Sequence, residues 1–211
     1  TERLLHFLGI AQVVVTGKEA DDVVAVMVRS YKGRCILVTA DKDYFQLVSE
    51  RVGVWNPHKQ VHADLENFKE VTGVEPAHFL LGKAILGDVS DNIGGVNGIG
   101  DKTMVEMMGF IQDSKDSPLD LLAELALQVA REGSTRQKKL LDQVETVYRN
   151  LSLMDLSQEE FSYDEICHVL SSISVSLPFQ ERLTLEEFKV LQFAEFMRDF
   201  VSFSAPFRTL Q

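Results

Sequence analysis

The chain has 211 residues, of which 45% are hydrophobic and 25% are charged, as is typical of one globular domain or at most two small ones. This composition excludes a disordered chain, and no internal repeat indicates a solenoid. The 21 basic and 32 acidic residues give a formal charge of −11, which taken alone argues against nucleic acid as a partner. The acids must first be located, because residues 151–211 carry 10 acidic side chains against 4 basic ones.

The cysteine content and the hydropathy of the sequence indicate the cellular compartment in which the protein works. Cys35 and Cys167 can form neither a disulfide framework nor a four-ligand zinc site, which favours a reducing environment. No apolar stretch is long enough to span a membrane, and the first residues do not resemble a secretory signal. We therefore expect an intracellular protein that works away from membranes.

The first third of the chain predicts alternating strands and helices. The predicted elements are an amphipathic stretch at 3–8, strands at 12–15, 35–39 and 52–55, and a helix at 19–29. The continuous apolar run at 35–39 is typical of a parallel strand buried on both faces. This order predicts an α/β fold with a parallel sheet, whose functional residues lie at the carboxyl ends of the strands.

From residue 64 onward the pattern is helical. The predicted helices cover 64–71, 76–86, 102–108, 118–131, 135–150, 164–171 and 185–200, with a glycine-rich break at 94–100. Phenylalanines near the end of the chain recur at helical spacing, which favours a packed core over base stacking. We expect a partial α/β core at 1–92, a helical region around the glycine-rich turn at 93–155, and an acidic helical tail at 156–211 packed on the same domain.

Seven carboxylates fall into three groups at the ends of predicted elements. The groups are Glu19, Asp21 and Asp22; Asp41 and Asp43; and Asp88 and Asp91. Each group alone also fits capping or turn chemistry, as in the possible capping box of Thr16 and Glu19. An α/β topology brings the groups to one edge, where their charges would repel unless cations held them. All-oxygen ligands favour Mg²⁺ or Mn²⁺ over zinc, and two such ions about 4 Å apart are typical of phosphodiester hydrolysis.

The most specific stretch is GGVNGIGDKT at 94–103. It is not a P-loop, because Asp101 separates the last glycine from Lys102 and no strand leads into it. An ordinary turn between helices would explain one or two glycines. Four glycines within seven residues indicate instead that backbone amides approach a phosphate, with Lys102 and the following helix as further anion contacts. Such contacts hold a nucleic-acid backbone without reading its sequence.

Together these motifs resemble the 5′ nuclease family, which comprises flap endonucleases, viral 5′–3′ exonucleases and the 5′ nuclease domain of bacterial DNA polymerase I. GKEADD at 17–22 looks like the family's GxEADD, TADKD at 39–43 its TxDxD, and GDVSDN at 87–92 its GDxSDN. GVNGIGDKT at 95–103 is similar to its helix-three-turn-helix, GVxGIGxKT. Weaker helical similarity continues to about residue 155.

The resemblance implies a PIN-like, parallel-sheet nuclease core, followed by the helix-three-turn-helix and further helices. The implied ligands of two Mg²⁺ or Mn²⁺ ions are Glu19, Asp21, Asp22, Asp41, Asp43, Asp88 and Asp91. Lys83, a little more than one helical turn before Asp88, matches a family lysine close to the scissile phosphate. The implied contacts of the helix-three-turn-helix with duplex DNA, which in the family often also binds K⁺, are Gly95, Gly98, Ile99, Gly100, Lys102 and Thr103.

The activity that follows is structure-specific cleavage of DNA, extending to RNA–DNA hybrids, at or near 5′ ends and flaps in replication or repair, with a DNA polymerase as a partner. Family members begin with an Asp-bearing strand and a helical arch, neither of which precedes residue 3 here. We therefore expect a missing N-terminal segment or a second chain to complete the site. The alternative is a noncatalytic duplex-binding module with structural metal ions, which Mg²⁺-dependent flap cleavage would exclude.

Overall fold

The computed structural model describes residues 1–112, 117–157 and 161–209. The helices are α1 (Glu2–Phe7), α2 (Ala20–Ser30), α3 (Phe68–Thr72), α4 (Phe79–Leu86), α5 (Asp101–Met108), α6 (Pro118–Glu132), α7 (Lys139–Asp142), α8 (Val144–Met154), α9 (Tyr163–Ser174), α10 (Glu181–Val190), α11 (Ala194–Arg198) and α12 (Phe200–Thr209). The strands are β1 (Cys35–Val38), β2 (Val52–Asn56), β3 (Val61–Ala63), β4 (Gly87–Asp88) and β5 (Ile93–Gly94), and 3₁₀ helices cover Asp43–Leu47 and Pro76–His78.

The backbone forms two compact units, one of Thr1–Ser30 with Glu160–Gln211 and the other of Tyr31–Glu159. The predicted domain boundaries after residues 92 and 155 stay a prediction. In the part of the chain that the structure describes, no helix is both long and apolar enough to cross a membrane.

The second unit begins with a three-stranded sheet. β1 pairs with β2 in parallel, which confirms the predicted α/β arrangement, and β2 pairs with β3 antiparallel. Three-residue β3 is too short to give a periodic signal and was not predicted. The prediction that β1 is buried on both faces is wrong, since Ile36 and Val38 are 66% and 67% exposed. β1 is an edge strand among the described residues, and its alternate side chains point to opposite faces.

The helices after the sheet pack into the larger hydrophobic core. α4 lies against α5, α6 and α8, and Leu81, Met107, Leu125 and Val147 are fully buried there. α4 ends at Leu86, and the following Gly87, with φ +77°, turns the chain into the hairpin β4–β5. A Cβ on Gly87 would lie 2.4 Å from the backbone nitrogen of Gly95, so this turn requires glycine.

The first unit is helical. α1 packs against α10 and α2 against α9. The predicted strand at 12–15 is wrong: its backbone has no strand partner in the described chain, and the Val14 carbonyl is instead hydrogen-bonded to the His168 ring. The phenylalanine core is confirmed, since Phe188 is 1% exposed and lies against other aromatic rings, among them Phe200 and Phe203.

Three long helices were predicted with wrong bounds, each for a local reason. The helix predicted at 64–71 starts at Phe68, because Asp64 and Asn67 form side-chain hydrogen bonds to the backbone ahead of it. The helix predicted at 135–150 divides into α7 and α8 at Gln143, whose backbone leaves the helical region with φ −129°. The helix predicted at 185–200 divides into α10 and α11, because Gln192 adopts φ +58° between them.

Candidate metal and nucleic-acid site

One carboxylate group surrounds a buried lysine in the second unit. Asp43 starts the 3₁₀ helix after β1, Lys83 lies in the last turn of α4, and Asp88 and Asp91 belong to the β4–β5 hairpin. Carboxylate oxygens of Asp43, Asp88 and Asp91 lie within 4.8 Å of one another. The Lys83 ammonium contacts Asp43 directly and lies 3.0 Å from Asp88, and its side chain is only 9% exposed.

The β4–β5 hairpin holds Asp88 as an anion. Ser90 donates to Asp88 Oδ1 through its backbone N–H at 2.8 Å and through its hydroxyl. Burial opposes ionisation, but the hydrogen bonds from Ser90 and the charge of Lys83 outweigh it and lower the pKa of Asp88 to about 2. The carboxylate is therefore fully charged at neutral pH and available as a ligand.

Asp41 sits beside this group with a different role in the fold. It is exposed, and its Oδ1 accepts the backbone N–H of Asp43 at 2.9 Å, while its own N–H donates to Thr39 Oγ1 at 3.1 Å. These bonds shape the turn that carries Asp43 out of β1. Asp41 thus fits the turn chemistry considered from the sequence, and its predicted place as a metal ligand stays a prediction.

A second carboxylate group lies in the first unit, at the start of α2. Oxygens of Glu19, Asp21 and Asp22 also lie within 4.8 Å of one another. Asp21 and Asp22 stand in the first turn of the helix, where the macrodipole favours negative charge. Asp21 Oδ1 accepts the Asp22 backbone N–H at 3.0 Å, and all three side chains are at least partly accessible. The structure thus keeps the first predicted group together and joins Asp43 of the second group to the third.

The glycine-rich turn joins β5 to α5. Val96 and Ile99 are buried and fix the turn on the core, whereas Gly98 and Gly100 are exposed. Gly98 has φ +86°, and a Cβ there would lie 2.4 Å from the Lys139 ammonium, so a cation lies against the turn. Lys102 is exposed on α5.

Two predicted DNA contacts, Ile99 and Thr103, have buried side chains, 8% and 7% exposed. A contact at these two positions therefore has to use the backbone. This distinguishes them from Lys102, whose side chain is exposed.

A cleft of about 1080 Å³ connects the lysine and the turn. Lys83 and Asp88 line it at the carboxylate group, and Gly100 lines it at the glycine-rich turn. Lys42 and Lys59 also line the cleft and were not singled out from the sequence. Lys42 lies within the TADKD motif, so its place in the sequence could have indicated a position at the site. Lys59 lies in the β2–β3 turn, where no motif marks it.

The donor set of both groups fits hard divalent cations. All six side chains offer carboxylate oxygens, and no cysteine or histidine joins either group among the described residues. Clustered carboxylates of one sign favour a cation between them, and oxygen-only sets favour Mg²⁺ or Mn²⁺ over zinc. The residues present therefore suit divalent metal ions.

A small mixed sheet, many helices and two carboxylate groups that could hold metal ions define an α/β fold with a candidate metal site. Residues 1–73 match the family model described as 5′-3′ exonuclease, N-terminal resolvase-like domain. The structure is similar to the T5 D15 protein crystallised with metal ions, with a TM-score of 0.59 and 22% identity over 84% of this chain and 62% of that one.

Sequence relatives agree with this fold. The thermostable DNA polymerase I of Thermus thermophilus is 38% identical over 112 residues, 51% of this chain and 13% of the polymerase. Flap endonuclease Xni of Shewanella halifaxensis is 32% identical over 125 residues, 58% of this chain and 46% of that protein. The chain thus spans less than half the length of these curated relatives. The chain is thus similar to 5′-3′ exonucleases and flap endonucleases.

Proposed function

We propose that the protein is a structure-specific 5′ nuclease that hydrolyses phosphodiesters at or near the 5′ ends and flaps of DNA. The observation that carries this proposal is the group of Asp43, Asp88 and Asp91 around Lys83, since Lys83 and Asp88 line one cleft together with Gly100 of the glycine-rich turn. The match of residues 1–73 to the 5′-3′ exonuclease family model and the flap endonuclease among the relatives support it.

Each residue has a role in this proposal. One ion would be held by Glu19, Asp21 and Asp22, and another by Asp43, Asp88 and Asp91, with Asp41 nearby in sequence. Bound Mg²⁺ or Mn²⁺ supplies an activated water and stabilises the leaving oxygen. Lys83 offsets the charge of the carboxylates and offers its ammonium to the scissile phosphate.

Binding would be the task of the glycine-rich turn. The exposed backbone at Gly98 and Gly100 would approach phosphates, and Lys102 adds a cation. Gly95 would support this contact by shaping the turn, because its side-chain position is filled by the Leu86 carbonyl. The same carbonyl-rich turn is the proposed K⁺ site. A DNA polymerase, fused or docked, is the proposed partner, since several relatives are DNA polymerases. RNA–DNA hybrids are proposed as further substrates.

The test is cleavage of a labelled 5′-flap substrate by the full-length protein with Mg²⁺ or Mn²⁺. We expect cleavage that EDTA abolishes, and we expect Asp88→Asn to lower the rate by about 100-fold or more while duplex binding persists. Glu50→Gln, at an exposed acid just before β2, is the matched control and should cut normally. Tight flap binding without cleavage under either metal would support the noncatalytic DNA-binding module instead.

A further inference from the structure

Asn150 is a fully buried polar residue on the core-facing side of α8. Its neighbours on that face, Val147 and Leu151, belong to the hydrophobic core. A buried amide is costly unless it is hydrogen-bonded, so a well-packed apolar side chain would serve stability at least as well. The amide must therefore be explained by the groups that it binds.

Asn150 binds two segments that carry the proposed site. Its side-chain amide donates to the Ala84 carbonyl at 2.8 Å and to the Gly94 carbonyl at 2.9 Å. Ala84 follows Lys83 in the last turn of α4, where a carbonyl has no partner within the helix. Gly94 ends β5 and opens the glycine-rich turn. One side chain thus ties the carboxylate group to that turn.

Two further hydrogen bonds, each made by a glutamine side chain, connect the two ends of α8 to the glycine-rich turn and to the segment that carries Asp43. Before its first turn, Gln143 Oε1 accepts the Asn97 backbone N–H in the glycine-rich turn at 3.0 Å. At its far end, the Met154 carbonyl accepts from Gln46 Nε2 at 2.8 Å, and Gln46 follows Asp43 in the same 3₁₀ helix. None of these residues is charged or belongs to a carboxylate group, so their hydrogen bonds connect these segments without adding charge to the site.

We propose that Asn150 is a positioning residue, which fixes the glycine-rich turn relative to Lys83 and Asp88 and so selects the phosphodiester that is cut. The proposal rests on the proposed nuclease function. In this proposal α8 holds the DNA-binding turn in a fixed position relative to the carboxylates, so that bound DNA is cut at one phosphodiester. A small shift between the turn and the carboxylates is sufficient, since about 1 Å of misplacement can cost about 100-fold in rate.

Asn150→Asp tests the proposal, because a carboxylate of the same shape accepts but cannot donate to the two carbonyls. Val147→Ala is the matched control: it lies one turn earlier on α8, is equally buried, and weakens the same core without touching those bonds. Both variants should melt at lower temperature. Only Asn150→Asp should lower the single-turnover rate by about 10-fold or more, spread the cuts over neighbouring phosphodiesters, and leave duplex affinity within about threefold.

Hydrogen exchange supplies a readout that does not depend on cleavage. Asn150→Asp should accelerate amide exchange at residues 85–96 more than Val147→Ala does. Gln143→Ala, at a partly exposed position, is a milder variant that should fold. It should also spread the cuts over neighbouring phosphodiesters, but less than Asn150→Asp does. If Asn150→Asp cuts at the same single position as the wild type, or exchanges its amide hydrogens no faster than Val147→Ala, then Asn150 contributes only to stability. If the wild type cuts nothing, the nuclease proposal fails, and the exchange comparison still decides whether Asn150 holds the two segments together.

Discussion

Lys83 shows how strongly the site depends on charge balance at single residues. Its ammonium stands between Asp43 and Asp88, and the Lys83 and Asp43 side chains are 9% and 12% exposed. Removal of one partner from a buried pair leaves the other charge without compensation, which is far more costly than loss of an exposed pair. The same lysine that we propose for catalysis therefore also stabilises the fold.

We expect Lys83→Met to lower the free energy of unfolding by roughly 3 kcal/mol in EDTA. Adding Asp43→Asn should recover part of this loss, because the double variant no longer buries an uncompensated Asp43 charge. Urea unfolding of the two single variants and the double variant measures the coupling. Additive losses would show that the Lys83 and Asp43 charges do not stabilise each other.

The glycine-rich turn and α5 act as one element in DNA binding. Lys102 is exposed beside a backbone that glycines leave accessible, so its contribution should be a phosphate contact. Lys102→Ala should weaken binding equally across duplex sequences and reduce the slope of log K against log salt by about 1. Lys32→Ala, at another exposed lysine, should change neither quantity. Fluorescence anisotropy over a salt series checks this, and sequence-dependent weakening would contradict it.

The sequence predicted elements whose signal is local. The acidic motif at 17–22 forms one compact carboxylate group, and the apolar runs at 35–39 and 52–55 form the parallel pair β1–β2. Such features depend on residue type and spacing within a few positions.

Elements set by distant partners could not be predicted in this way. The hydrogen bonds of Asn150 join residues 56 and 66 positions apart, and Gln143 interrupts a helical pattern where its side chain reaches Asn97. The strand predicted at 12–15 has apolar residues but no neighbouring strand among the described residues. In each case the deciding contact lies outside the window in which a periodic pattern is visible.

At the scale of the whole molecule, the net charge of −11 no longer argues against DNA. Seven of the acids are the proposed ligands, and residues 151–211 hold 10 of the remaining ones. Lysines line the cleft and the glycine-rich turn. Divalent ions held by the proposed ligands would offset much of the negative charge of these carboxylates.

Because each unit contains one carboxylate group, metal binding should be separable between them. We expect the wild type to bind two Mn²⁺ ions, and Asp21→Asn and Asp43→Asn each to bind one. The bound ions are counted by isothermal titration calorimetry or by the electron paramagnetic resonance signal of free Mn²⁺. At a concentration 100 times the dissociation constant, one ion should stabilise the fold by about 2.7 kcal/mol, so each variant should lose one such increment. NaCl at equal ionic strength, the control for screening, should not reproduce the gain. If either substitution abolished both binding events, the ions would share one site, and the assignment of one ion to each group would be wrong.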